Sequence, residues 1–158
     1  MIKSKFPHWM RSLNIKSSMN TNLQFVLQLV NDLLADFAKS GDFWTDFELV
    51  FGTQYNKTLA NSIKASLANK TFNLPNIAVV SNTVLGSAFG AYASSNDTIY
   101  LSEAVVNAGN TQQLVAVLLE EIGHAIDSQI NTRIIRTCIF PRQFFFLGFC
   151  IRNLNFLN

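Results

Sequence analysis

Charge is scarce in this chain. Of its 158 residues 14% are charged and 49% hydrophobic, where a folded domain typically carries about 25% charged residues. That balance excludes an intrinsically disordered chain, which needs low hydrophobicity and high net charge. Proline is rarer still, with three residues, and glycine numbers seven, which excludes collagen-like and low-complexity classes. Two cysteines are too few for a small disulfide scaffold or a Cys-rich zinc site. The Phe-rich end lacks a long apolar run, its longest uncharged stretch being the nine residues 143–151, whereas a membrane-spanning helix needs about 20. The stretch before residue 20 has no apolar core of a secretory signal. What remains is enough chain for one domain of ordinary size.

Acidic residues are missing from both ends. Residues 1–31 carry Lys3, Lys5, Arg11 and Lys16 without an acid, and residues 128–158 carry four Arg without an acid. All ten acids fall between Asp32 and Asp127, against four Lys. Nucleic-acid binding would want basic residues gathered on a folded face. Here the folded candidate region is the acidic one, so no nucleic-acid partner is expected. The end after Asn131 is foreign in composition: it holds Cys138, Cys150, six of the fourteen Phe and four of the five Arg. It shows neither a helical nor a strand period. A frameshifted or truncated end explains this better than a membrane-surface anchor, although Phe flanked by Arg does sit at interfaces. The expected organisation is a flexible basic leader over 1–20, a partial domain over 21–131 and an atypical Phe/Arg-rich tail over 132–158.

The middle reads as an α+β domain: helices first, then a small sheet with a hairpin, then a final helix, with an incomplete C-terminal part. Leu23, Val26, Leu27, Val30, Leu33, Leu34 and Phe37 follow helical spacing, capped at Thr21 or Asn22 and ending near Gly41. A short helix over Phe43–Phe51, with Asp42 as its cap, precedes one opened by Asn56 that buries Leu59, Ile63 and Leu67. After Pro75, Ile77–Val80 is a β-branched run suited to a buried strand. Ala88–Ala93 and Thr98–Leu101 flank Ser-Ser-Asn-Asp as a hairpin. Ser102 caps a short helix that Gly109 ends. Asn110 or Thr111 then caps the last helix, over about Gln112–Ser128.

That helix, TQQLVAVLLEEIGHAIDSQ, holds whatever chemistry the chain has. Leu114, Val115, Leu118, Leu119, Ile122, Ala125 and Ile126 spread over one apolar arc, leaving Glu120, Glu121, His124 and Asp127 on the other. Glu120 and His124, four apart, can converge on one point, with Glu121 beside them. A carboxylate and an imidazole so placed can hold a divalent cation while a second carboxylate acts on water nearby. On spacing alone, a polar arc turned to solvent is the commoner outcome. A single E-x-x-H also fits a di-iron pattern, but that needs two such helices.

The spacing Glu120-Glu121-Ile-Gly-His124 resembles the H-E-x-x-H motif of zincins, with Glu in the first His position. More specifically, NDTIYLS (96–102), LVAVLLEEIGHAIDSQIN (114–131) and DFWTDFELVFG resemble a metallopeptidase-like domain of large cyanobacterial secreted proteins that also carry haemolysin-type calcium-binding repeats. The resemblance covers about two thirds of the chain. It implies His124 and Glu120 as zinc ligands, Asp127 as a further ligand, and Glu121 as the catalytic general base. It implies Zn2+ as cofactor, Thr98–Leu101 as an edge strand that an extended peptide could lie along, and secretion as the location. Where such proteins continue into a Gly-Asp-Glu-rich stretch, this chain reads TRIIRTCIF, with no acid or His after Asp127. The expected activity is a metal-dependent peptidase-like hydrolase with a degenerate E-E-x-x-H motif. The alternative is a non-catalytic module of a secreted multi-domain calcium-binding protein. Phe43 and Trp44 read as core, Glu103 as a helix-dipole partner, Tyr92 and Tyr100 as hairpin residues, and Gly86 and Gly90 as turn geometry or close strand approach.

Overall fold

The computed structural model describes residues 8–131, with side chains from residue 22 onward. The segment 132–158, with the tail, its cysteines and any membrane contact assigned to it, lies outside the described residues, as do residues 1–7. Among the described residues no helix is long and apolar enough to cross a membrane.

Among the described residues six helices and three strands form one α+β unit. Helix α1 spans His8–Lys39 and so takes in most of the stretch expected to be a flexible leader. Neither Gly nor Pro occurs between Pro7 and Gly41. Once the amphipathic part from residue 22 has nucleated, nothing breaks propagation towards the N-terminus. Val26, Val30, Leu34, Ala35 and Ala38 are its buried face. Helix α2 is Phe43–Phe51 as expected, but Asp42 at its N-cap makes no side-chain capping bond. Helix α3, Lys57–Ala68, is capped by Asn56, whose Oδ1 accepts from the Leu59 N–H at 3.1 Å. It buries Ala60, Ile63 and Leu67, whereas Leu59 faces solvent.

An aromatic cluster joins α2 to its neighbours. The Phe47 ring lies 5.2 Å from Phe43, 5.7 Å from Trp44, 4.4 Å from Phe51 and 5.3 Å from Tyr55. Lys64 of α3 places its Nζ 4.7 Å from the Phe43 ring and 5.1 Å from Trp44, so a helix-surface lysine roofs the cluster through cation–π attraction. Beneath it, between α1, α2, α3 and the last helix, is an apolar cavity of about 70 Å³.

The sheet has the order β1-β3-β2. Strand β1 (Asn76–Val80) runs parallel to β3 (Thr98–Ser102), and β2 (Gly90–Ala93) is antiparallel to β3. The hairpin forms as its turn residues indicate, but two strand assignments are corrected. Ile77–Val80 is a half-exposed edge, with Val79 40% exposed, because only one face of the sheet is covered. Thr98–Leu101 is the central strand, hydrogen-bonded on both sides. The chain returns past it twice, so a peptide cannot lie along it; the free edges belong to β1 and β2. A one-turn helix α4 (Asn82–Leu85), not expected from the sequence, lends the Asn82 Oδ1 to the Ala104 N–H at 3.0 Å. It thereby helps to start α5 (Glu103–Asn107), whose cap Ser102 accepts from the Val105 N–H at 3.3 Å.

Helix α6, Thr111–Ile130, is the centre of the molecule. It packs against α1, α3, α5, β2 and β3. Asn110 caps it by accepting from the Gln113 N–H at 3.0 Å. Asn110→Ala should lower stability by about 1 kcal/mol, read as a shifted urea midpoint at unchanged slope. At the other end the Ile130 carbonyl accepts from the Asn56 N–H at 3.0 Å, tying α6 to the start of α3.

Candidate active site

Sequence spacing leaves Glu120, Glu121, His124 and Asp127 on one polar arc of α6. The structure divides them. Glu121 is 6% exposed, and it and Ser102 are the buried polar side chains among the described residues. Glu120, His124 and Asp127 are half-buried. Burying a carboxylate costs several kcal/mol unless it is paired or hydrogen-bonded.

The sheet creates the burial. Gly90 of β2 faces α6 so closely that a Cβ built on it would lie 2.7 Å from Val117 Cγ1 and 3.1 Å from both Glu121 Cγ and Glu121 Oε1. Two residues along the strand, Tyr92 reaches the same helix face. Its hydroxyl lies 3.0 Å from Asp97 Oδ1, to which it donates, and 3.5 Å from Ser128 Oγ. Burial raises the Tyr92 pKa, the Ser128 hydrogen bond lowers it, and Asp97 raises it further, with a net rise. Tyr92 therefore stays protonated at neutral pH and keeps donating. Val117, Glu121 and Ser128 follow one another at i, i+4 and i+11, with His124 at i+7 on the same stripe. Val117, Glu121 and Ser128 thus sit where β2 presses on α6.

The phase of the β2–β3 ladder shows what the edge offers. The Ser102 N–H donates to the Phe89 carbonyl at 2.9 Å. In an antiparallel pair, hydrogen-bonded and non-hydrogen-bonded positions alternate. Gly90, opposite Leu101, and Tyr92, opposite Ile99, are therefore the residues whose N–H and C=O turn away from β3. The backbone at Gly90 faces the free edge while Glu121 stands beside it.

The opposite side of the same turn is apolar. Leu119, Ile122, Gly123 and Ile126 line the cavity beneath the aromatic cluster. The motif helix is therefore held between a packed core and the sheet edge.

A three-ligand set is not assembled. Among the described residues no three His, Cys, Asp or Glu side chains gather closely enough to hold a metal ion. Asp127 is turned to its own helix end, where its Oδ1 accepts from Asn131 Nδ2 at 2.6 Å. That bond engages one oxygen of the Asp127 carboxylate with the helix-end Asn131. Glu120 and His124 have no hydrogen-bond or ion-pair partner among the described residues. Catalytic zinc takes three protein ligands and one open position, a set that the described residues do not gather.

Gly90, Tyr92 and Ser128 were not assigned to the site from the sequence. A glycine inside a strand pattern does signal close approach, but nothing local says that the approaching group is Glu121, 31 positions away.

The family comparison assigns this α+β unit to a metallopeptidase-like hydrolase domain of the zincin kind. Residues 53–155 match the model of peptidase family M48; the match covers more than half of the chain, which belongs to that family. The matched span leaves α1 and α2 before it and continues beyond Asn131. No curated protein and no solved structure matches the chain.

Proposed function

We propose that this chain is a metal-dependent peptidase-like domain in degenerate form. Glu121 is its general base, and Glu120 and His124 are its retained pair of metal donors. The observation that carries the reading is the burial of Glu121 at the one place where a free strand edge meets the motif helix. There a peptide pairing with the outward N–H and C=O of Gly90 and Tyr92 would bring its carbonyl to the carboxylate. The β2 edge thus takes the place expected of Thr98–Leu101. Glu121 would take a proton from the attacking water and deliver it to the leaving amine.

Family membership makes zinc the expected metal, and zinc when bound supplies Lewis-acid polarisation. Two donors make a weak site, so no step is assigned to the metal here. The same shortage favours a second reading, a non-catalytic module of a secreted calcium-binding protein that keeps the fold without the full ligand set.

Metal content and hydrolysis separate the two readings. For the first, purified protein equilibrated with zinc retains it in the wild type and in Glu121→Gln but loses it in His124→Ala. Hydrolysis of an unstructured peptide falls by about 10²–10⁴-fold in Glu121→Gln, the usual worth of a general base. Zinc retention equal in all three, or hydrolysis indifferent to Glu121, supports the module.

A further inference from the structure

We propose that Gly90 is a positioning residue for Glu121: the missing side chain on β2 is the space that the carboxylate occupies. The inference rests on the role given to Glu121 above. Gly52, Gly86 and Gly109 have φ of 73°, 61° and 68° and nothing within 4 Å of a built Cβ; there the backbone conformation calls for glycine. Gly90 is the reverse case. Its φ lies outside the left-handed region, so conformation makes no demand, while a Cβ would meet Val117 Cγ1 at 2.7 Å and Glu121 at 3.1 Å twice. The atoms it would displace include Oε1, one of the two oxygens that would carry the proton. Because the N–H and C=O of Gly90 face the free edge, the same residue brings a pairing backbone and the carboxylate to one point. A side chain here would have to move the strand, the helix or Glu121. The nearest atom, Val117 Cγ1 at 2.7 Å, belongs to a stiff β-branched side chain; Glu121, with more rotatable bonds, is the neighbour that can swing away, so the base is displaced as well.

The test is a cycle of variants in the full chain, read by thermal unfolding and by hydrolysis. Gly90→Ala should lower the melting temperature by about 3–10 °C, the range for overpacking a chain of this size. In a Glu121→Asp background, where the carboxylate is drawn back by one methylene while Val117 stays, a measurable part of that loss should disappear. In Glu121→Gln, which keeps the length, the loss should remain whole. Val117→Ala relieves the 2.7 Å contact and keeps the variant folded: Gly90→Ala/Val117→Ala should regain most of the melting temperature but not kcat. Alanine keeps the N–H and C=O that pair with the peptide, so the loss in both should fall on kcat more than on KM. A packing role alone predicts that kcat returns with stability, which would overturn the proposal. So would an equal melting loss in the Glu121→Asp and wild-type backgrounds. Should Glu121→Gln hydrolyse peptide like the wild type, the catalytic reading fails on its own, and the melting cycle still decides whether Gly90 makes room for the carboxylate.

Discussion

Glu120→His is expected to tighten zinc binding, against the usual tendency of substitutions at a site to weaken it. The change turns E-E-x-x-H into H-E-x-x-H and gives the motif turn two imidazoles at i and i+4, donors better suited to zinc than a carboxylate. Glu120 is half-buried and has no hydrogen-bond or ion-pair partner among the described residues, so the replacement opens no cavity and strands no polar group. Residues in a metal's outer shell are worth about 10–100-fold in affinity, and a direct donor should count for no less. The dissociation constant, measured by competition with a chromophoric chelator, should therefore fall at least about tenfold. An unchanged constant would mean that residue 120 does not face the point that His124 faces.

Phe47→Ala should be the most damaging single change in the described fold. Phe47 is 1% exposed and touches the rings of Phe43, Trp44, Phe51 and Tyr55. It also lines the existing 70 Å³ cavity, which the truncation would enlarge towards α6. Removing a buried Phe costs about 3–5 kcal/mol, against a total of about 5–15 kcal/mol for an ordinary domain. At about 2–4 °C per kcal/mol, the melting temperature should drop by about 6–20 °C. Leu49, two residues on but 84% exposed, is the control: Leu49→Ala should stay within about 0.5 kcal/mol. A comparable loss at Leu49 would show that α2 is packed on its other face.

Local signals carried most of the fold. The caps at Asn56, Ser102 and Asn110 and the helical spacing of Val26, Val30 and Leu34 depend on neighbours within a turn or two. Each appears where its residues indicate. What failed depended on partners distant in sequence. Ile77–Val80 has the composition of a buried strand, but burial depends on which elements cover the sheet. Thr98–Leu101 became central because β1 added beside it, a pairing across 22 positions. Leu59 lost its place to Ala60 because the helix spacing admits either and tertiary packing chooses.

The candidate site shows the same limit more sharply. The E-E-x-x-H spacing was plain in the sequence, and so was the lack of an acid or His after Asp127. Periodicity nonetheless put Glu121 on a solvent-facing arc, because an acid scores as polar wherever it stands. Its burial depends on Gly90, a residue whose contribution is the absence of atoms. The bond from Asn131 to Asp127 is an ordinary helix-end contact that the motif spacing does not reveal.

The central claim is that one turn of α6, from Glu120 to His124, works as a metal-directed unit. X-ray absorption at the zinc edge, on protein loaded with one equivalent, tests it most directly. The expected spectrum is a nitrogen and oxygen shell near 2.0–2.1 Å with the outer-shell scattering of one imidazole, and that imidazole signal should vanish in His124→Ala. An imidazole signal that survives His124→Ala, or a wild-type spectrum of hydrated zinc alone, would contradict it.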